Sequence, residues 1–282
     1  MSRRAEILEK VSQVESLPAV ASQILRMVRD PDSSMTDIMK CIELDPGLTT
    51  SVLRMANSAY FAGPRKIASM REAGVLFGTN RIQQMVIATA VAPRVSGAIC
   101  GYDLEPGRLL DSLIAVAIGA EEIPRVLKRA PHPAAFTAGL LHGVGKIVLG
   151  TFVEVDANPI LELAYEEQVP FDEAERRVLG IDHAEVGSIL LERWQFPEDL
   201  VQAVRWQYHP ENVSTDPVLA DLVHVAGILC IQCGLGTGVD GLSYSISSRV
   251  VERLRLNTNL VESVACTMLT ELDSIRKTML GM

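Results

Sequence analysis

Residues 35–60 read M-T-D-I-M-K-C-I-E-L-D-P-G-L-T-T-S-V-L-R-M-A-N-S-A-Y, and they set the pattern for the whole chain. An Asp45-Pro46-Gly47 turn divides the stretch, because the residue before a proline is pushed out of helical geometry. Ser34 is placed to cap the helix before the turn, and Pro46 suits the first turn of the helix after it. The apolar positions after the turn recur at helical spacing: Leu48, Val52, Met55, Ala56 and Ala59. We therefore predict two short helices joined by a tight turn.

The same helical period continues along the rest of the chain. Three further apolar stripes show it: Val20, Ile24, Met27 and Val28; Ile82, Met85, Val86 and Thr89; Leu110, Leu113, Ile114, Ala117 and Ile118. Turn-forming segments at Asp30–Ser34 and Ala62–Arg65 separate successive helices. Tyr244–Val251 comes nearest to the alternation of a half-buried strand, and it is too isolated to build a sheet. The sequence predicts an all-α, multi-helix fold.

Prolines and glycines cluster between Val95 and Pro106 without helical periodicity. We take this segment as the joint between residues 1–100, an N-terminal helical lobe, and residues 101–282, a second helical lobe. The two lobes are expected to pack closely as one continuous unit. A second glycine-rich segment, Gly234–Gly241, lacks the spacing of a nucleotide-binding motif and favours a plain turn between helices.

Charge and composition exclude several classes of protein. The 282 residues include 35 acidic and 26 basic side chains, a net charge of −9, which disfavours broad binding to nucleic-acid backbones. The basic clusters Arg3-Arg4 and Arg125 to Arg129 are explained as solvated helix faces. Five scattered cysteines suit reduced thiols better than a disulfide framework.

No segment suggests export or membrane insertion. The apolar stretches Met85–Pro93 and Leu113–Ala120 fall well short of the ~20 residues that a membrane-spanning helix needs. Met1–Glu15 is polar, without the apolar core of a signal peptide. We expect a cytoplasmic protein with no membrane partner.

Three histidines lie beside small residues near predicted helix ends: His142, His183 and His209. They are far apart in sequence, so only the tertiary fold could bring them together. Each taken alone is better explained as a hydrogen-bonded structural histidine than as a metal ligand. Cys230 and Cys233 have the spacing of half a zinc site, but without a second pair they favour small buried residues one helical turn apart.

The 35–60 stretch resembles the front half of the HDOD domain, the HD-related output domain of bacterial signalling proteins. Its D-P-x-L-T and L-R-x-A-N-S segments carry the resemblance. Four further segments continue it in order, so that it spans about residues 17–238: Leu17–Val20, Ile67–Ala73, Ala138–Lys146 and Gly180–Trp194. The resemblance implies a helical fold derived from the HD phosphohydrolases, in which histidines and aspartates bind a catalytic metal.

The resemblance also implies that this chain lacks several of those metal ligands. Asp111-Ser112 stands where the family of hydrolases has its first histidine, His142-Gly143 replaces the His-Asp pair, and Gly227 aligns with the final aspartate. Asp221, six residues before Gly227, is the alternative if that alignment slips. Since catalytic sites generally supply three protein ligands, we expect no catalytic residue, no cofactor and at most a weakly held residual divalent metal.

Five residues are left as candidates for a vestigial ligand pocket: Asp111, His142, Lys146, His183 and His209. Lys146 follows His142 by four residues and could approach a phosphate, although a solvated lysine or a partner for Asp111 is the plainer interpretation. The related HD-GYP phosphodiesterases carry additional histidines that resemble His183 and His209. Such a pocket could bind a small anion or nucleotide without hydrolysing it.

The leading functional expectation is a bacterial signal-transduction output or scaffold domain that acts through protein contacts and has no hydrolase activity. Its partners would be signalling proteins, and the signal would arrive through one of them because the resemblance uses most of the chain. Two alternatives are a metal-dependent phosphohydrolase or cyclic-nucleotide phosphodiesterase, and a nucleotide-sensing regulatory module. Methionines of the front half offer an adaptable docking face, which core packing explains equally well: Met27, Met35, Met39, Met55 and Met70.

Overall fold

The computed structural model describes residues 2–61, 66–241 and 243–280, and within these ranges it contains helices and no strand. One isolated antiparallel bridge joins Ile99 and Leu104. The all-α prediction is therefore confirmed. The helices are α1 (Arg3–Gln13), α2 (Ala19–Arg29), α3 (Met35–Glu43), α4 (Pro46–Ala56), α5 (Met70–Val95), α6 (Arg108–Val126), α7 (Ala135–Leu141), α8 (Lys146–Val155), α9 (Ala157–Glu166), α10 (Phe171–Leu179), α11 (His183–Arg193), α12 (Glu198–Arg205), α13 (Pro217–Gln232), α14 (Ser248–Leu254) and α15 (Thr258–Leu280), with 3₁₀ turns at Cys100–Tyr102 and Pro210–Asn212.

The helix ends follow the predicted chemistry. The Ser34 hydroxyl accepts a hydrogen bond from the Asp37 amide at 3.2 Å, and the Asp37 carboxylate accepts one from the Ser34 amide at 3.3 Å. Pro46 occupies the first turn of α4, whose free Leu48 amide donates to the carboxylate of Asp45 at 3.0 Å. The predicted stop at Ala62–Arg65 lies outside the described residues.

The contacts between residues divide the chain into two compact units. One consists of Met1–Glu15 and Val95–Leu269, and the other of Ser16–Arg94 and Thr270–Met282. The sequence predicts a single boundary near residue 100, whereas the division by contacts changes between Arg94 and Val95 and at two further places. The division by contacts also groups the first residues of the chain with the larger unit and the last ones with the smaller unit.

The smaller unit packs α2, α3 and α4 with the first part of α5 around an aliphatic core. Met39, Met55 and Met70 are buried in that core, so packing accounts for three of the five methionines considered as a docking face. α3 and α5 approach closely at Gly74, where a Cβ atom would lie only 3.1 Å from the Met39 sulfur.

Gly78 breaks α5 into two helical segments. Its backbone has φ 71° and ψ 173°, a region open almost only to glycine. The first segment, residues 70–77, packs beside α3, and the second continues to Val95. Sequence periodicity alone gave no indication of this break.

The larger unit is built around α6 and α13, whose residues are buried along nearly their whole length. α7 crosses α6 in close contact at Gly139, where a Cβ atom would lie 2.6 Å from the Ala117 Cα atom. Within the described residues, Ala135–Val155 is long and apolar enough to cross a membrane by length and composition, but 83% of its most apolar window is buried in the protein. That burial fits a core element of this unit.

We predict that Gly78→Ala lowers the free energy of unfolding by about 1–2 kcal/mol, because a side chain is strained at this φ. Gly97→Ala is the matched control, since a Cβ atom at either glycine meets no other atom within 4 Å and only Gly78 has a positive φ. Urea unfolding measures both. Equal stability of the two variants would contradict the assigned backbone geometry.

Candidate functional site

The site develops at the corner where α7 ends and α8 begins. His142 follows the last residue of α7, and Lys146 is the first residue of α8. Between them, Gly145 lies so close to α11 that a Cβ atom would be 2.0 Å from the carbonyl oxygen of His183. Only glycine permits this approach, which brings His142, Lys146 and the start of α11 together.

His142 is a buried, neutral histidine held by the backbone. Its Nδ1 lies 2.6 Å from the carbonyl oxygen of Gly139, and its own carbonyl accepts a hydrogen bond from the Gln207 side chain at 2.8 Å. Burial lowers the pKa of His142 to about 3, and the positive charge of Lys146 contributes to the lowering. Nδ1 of the neutral ring therefore donates to Gly139, an orientation that histidine ligands of metals commonly adopt.

The other groups needed to complete a metal site are directed elsewhere. A Cβ atom on Gly143, where an HD centre has its aspartate, would meet the Leu113 and Leu109 side chains at 3.1 and 3.4 Å. The buried carboxylate of Asp111 lies 3.4 Å from Arg108. The Arg253 guanidinium donates two hydrogen bonds to the carboxylate of Asp221.

Among the described residues, no three His, Cys, Asp or Glu side chains are grouped so that they could hold a metal ion. One retained histidine beside an apolar wall does not match the three protein ligands typical of a catalytic metal. The donor set of this site therefore does not fit the metal that the HD fold implies.

Lys146 is buried and forms an ion pair with Asp240. The Nζ atom donates to the Asp240 carboxylate, with only 7% and 4% of the two side chains exposed. Burial alone would raise the pKa of Asp240, but the adjacent Lys146 outweighs it, and the pKa lies below its ordinary value. Lys146 also lies 5.2 Å from the centre of the Tyr102 ring. The interpretation of Lys146 as a solvated lysine or a partner of Asp111 is therefore wrong.

The glycine-rich loop after α13 places Asp240 in this position. The Val239 amide donates to the carbonyl oxygen of Tyr102 at 3.1 Å, and a Cβ atom on Gly238 would lie 1.7 Å from the same oxygen. Gly236 has φ 65°, with a Cβ position 2.2 Å from the carbonyl of Arg108. The segment is a loop between helices, as predicted, and its glycines are required for close packing over the site.

A chain of buried hydrogen bonds continues from Tyr102. Its hydroxyl donates to Glu175, whose other oxygen accepts from the amide and Nδ1 of His183 at 2.9 and 2.8 Å. The Nε2 atom of His183 lies 3.0 Å from the Tyr208 hydroxyl. Burial would lower the pKa of His183, but the Glu175 carboxylate raises it on balance. Both ring nitrogens of His183 thus have hydrogen-bond partners, which is the arrangement expected of a structural histidine.

His209 lies at the outer edge of this network, with 43% of its side chain exposed. Its two nitrogens are 3.7 Å from the carboxylates of Asp172 and Glu211. The interaction with Asp172 raises the pKa of His209 against a smaller effect of burial. Tyr244, stacked on Tyr208 at 4.7 Å, accepts a hydrogen bond from the Asp172 amide and so connects this edge to the buried chain.

Of the five predicted pocket residues, His142, Lys146 and His183 belong to one buried cluster. The contacts observed for Asp111 and His209 are instead with Arg108 and Asp172. The prediction missed Tyr102, Glu175 and Asp240. A signal existed for Glu175, which lies on the apolar face of α10 between Phe171 and Leu179. No comparable signal marks an aspartate in a glycine-rich loop.

The other candidates for chemistry have structural explanations. Cys230 is buried, its thiol donates to the carbonyl of Leu235 at 3.0 Å, and burial raises its pKa to about 12. Cys233 is half-buried at the end of α13. His224 is held by the carbonyl of Gln207 and the amide of Ser247. The prediction of two small buried residues thus holds for Cys230, whereas Cys233 is only half-buried.

A helical domain with this α7–α8 corner, one retained histidine and an internal ion pair beside it falls in the class of HD-like all-α domains. Within that class, the chain belongs to the HDOD domain family, whose model matches residues 14–210. The resemblance stated from the motif segments is thus confirmed.

Solved structures with similar folds come from several bacteria. A protein from Shewanella amazonensis SB2B, named as a proposed phosphohydrolase, is 23% identical with a TM-score of 0.69 and 98% of each chain covered. A proposed signal transduction protein from Marinobacter aquaeolei VT8 is 21% identical with a TM-score of 0.72, covering 99% of this chain and 66% of that one. At such identities these likenesses show the fold.

One curated relative also matches. An uncharacterised protein from Treponema pallidum (strain Nichols) is 24% identical over 206 residues. The match covers 73% of this chain and 39% of that protein. The chain thus spans well under half the length of this relative.

We predict that Asp240→Asn lowers the free energy of unfolding by about 3–5 kcal/mol, because it leaves the buried Lys146 ammonium without its carboxylate. The double variant Lys146→Met/Asp240→Leu should lose less than the single variant, since no unpaired charge remains. Glu167→Gln, in an exposed pair with Arg177, is the control and should change stability far less than Asp240→Asn. Urea unfolding in which Asp240→Asn and Glu167→Gln have equal effects would contradict the buried pair.

We further predict that His142→Gln flattens the loss of stability in acid. Because the folded pKa of about 3 lies below the ordinary 6.5, the unfolded chain takes up this proton first as the pH falls. The stability tied to His142 is complete above pH 6.5 and is lost progressively toward pH 3. The slope of the free energy of unfolding against pH should differ between wild type and His142→Gln by roughly 1 kcal/mol per pH unit across this range.

Denaturant unfolding at a series of pH values measures this slope. His209→Gln is the control, and it should steepen the loss in acid, because a raised pKa gives stability at low pH that is lost as the pH rises. Identical slopes for wild type and His142→Gln would show that His142 is not buried in its neutral form.

Proposed function

We propose that this domain is a non-catalytic output module of bacterial signal transduction, which acts in the cytoplasm through contacts with signalling proteins. The observation that carries the proposal is the ion pair of Lys146 with Asp240, buried at the corner where an HD enzyme would hold metal and phosphate. The net charge of −9 favours a protein partner over a nucleic acid.

Hydrolysis of a phosphate ester at this corner would need a group that activates water and a positive charge that meets the phosphate. His142 offers one neutral nitrogen, and the space beside it at Gly143 faces leucine side chains. The charge of Lys146 is already matched by Asp240. These features support a structural role for the corner and favour a scaffold over an enzyme.

The same ion pair disfavours the nucleotide-sensing alternative. An anion could reach Lys146 only if it displaced Asp240, and removing one partner of a buried pair is strongly unfavourable when the other charge stays buried. The loop that carries Asp240 is packed at Gly236 and Gly238 against backbone atoms, so displacement would disturb those contacts as well. The protein's own carboxylate thus takes the position that an anionic ligand would need.

We predict that the purified domain hydrolyses neither cyclic di-GMP nor p-nitrophenyl phosphate when supplied with manganese, iron or nickel. Elemental analysis of the protein is measured alongside product formation. His142→Ala should then have the same background rate as wild type and as His209→Ala, whose substitution lies outside the buried cluster. Stoichiometric metal with turnover that only His142→Ala abolishes would establish the phosphohydrolase instead.

A further inference from the structure

A surface groove runs between α3 and the first segment of α5 in the smaller unit. Its main part has a volume of about 650 Å³, and an adjoining part measures about 470 Å³. Arg71 and Val75 line both parts. The main part is otherwise lined by residues of α3: Met35, Thr36, Met39, Lys40 and Glu43.

Large apolar side chains are exposed along this groove. Val75 is 83% exposed and Leu76 45% exposed, and both line it. Leu44, which directly follows the lining residue Glu43, is 82% exposed. Exposed apolar side chains that cluster in this way mark interaction surfaces, whereas single ones are ordinary.

The shape and lining suit a helix. The walls are two helices brought close by Gly74, and the thioether of Met35 supplies a surface that can adapt to the occupant. An amphipathic helix lays residues at i, i+3 or i+4, and i+7 into such a groove.

The charged side chains that line the groove indicate the charge expected of its binding partner. Lys40 and Arg71 line the main part of the groove, and Glu43 is the acidic residue in its lining. Glu72, in the adjoining part, already accepts a hydrogen bond from the Ala68 amide at 3.0 Å. Positive charge therefore exceeds negative charge in the main part, although the whole chain carries a net charge of −9. Carboxylates of a partner would be attracted to Lys40 and Arg71 in the main part of the groove, which orients the partner there.

We propose that the α3–α5 groove binds an amphipathic helix of a partner protein, with apolar residues seated on Met35 and Val75 and flanking carboxylates placed against Lys40 and Arg71. This inference deepens the proposed function, on which it rests, by naming the surface and the chemistry of the partner.

The test is selection of a displayed library of random 16-residue peptides on the full chain, followed by fluorescence anisotropy of the selected peptides. Selected peptides should share an i, i+3 or i+4, i+7 apolar pattern flanked by Glu or Asp. Val75→Asp should weaken their binding at least tenfold, whereas Val155→Asp, which changes a valine 70% exposed in the larger unit, should leave it unchanged. Replacing the flanking acids by Lys should weaken binding to wild type and restore it to the Lys40→Glu/Arg71→Glu variant.

Three results would overturn the inference: no selected peptide, selected peptides that are basic, or binding indifferent to Val75→Asp. Sedimentation of the wild-type chain tests whether a second copy of the chain occupies the groove instead. A dimer that Val75→Asp dissociates would assign the groove to that second copy. These outcomes are independent of the hydrolysis assay. If no peptide binds the groove and no hydrolysis is detected, only the groove proposal is contradicted, and the proposed non-catalytic function stands. Metal-dependent hydrolysis would contradict the proposed function, whatever the result of the peptide selection.

Discussion

The buried ion pair of Lys146 and Asp240 organises the larger unit. Two opposite charges taken out of water are stable only when they neutralise each other and are held by further polar contacts. Here the Gly238 amide lies 3.3 Å from the other oxygen of Asp240, and the Tyr102 ring lies beside the ammonium. The pair joins the start of α8 to the loop after α13, and so closes the corner that carries His142.

The neighbouring hydrogen bonds depend on the same closure. Tyr102 is anchored by the loop through its carbonyl oxygen and donates its hydroxyl to Glu175, which in turn holds His183. Buried polar groups in such a series need every partner present, because a single unmatched member is costly in a low-dielectric interior. At this corner lysine, carboxylates and histidine satisfy one another in a single buried network.

Much of the fold followed from local rules, whereas the site required three-dimensional information. Ser34 and Pro46 begin helices as predicted, since capping and proline geometry act within one turn. The break at Gly78 was missed, because a glycine inside an apolar stripe looks the same whether its φ is positive or negative. The four-residue spacing of His142 and Lys146 suggested one helical face, but α7 ends before His142 and α8 begins at Lys146. The partner of Lys146 lies 94 residues away in a loop with no periodicity.

A crystal structure grown with manganese and pyrophosphate, with anomalous scattering recorded for the metal, would test the closed corner most directly. We predict Lys146 within hydrogen-bonding distance of Asp240, and no anomalous peak beside the free nitrogen of His142. A manganese peak at His142, with Lys146 turned from Asp240 to a phosphate oxygen, would contradict the structure-based account and make the corner a ligand site.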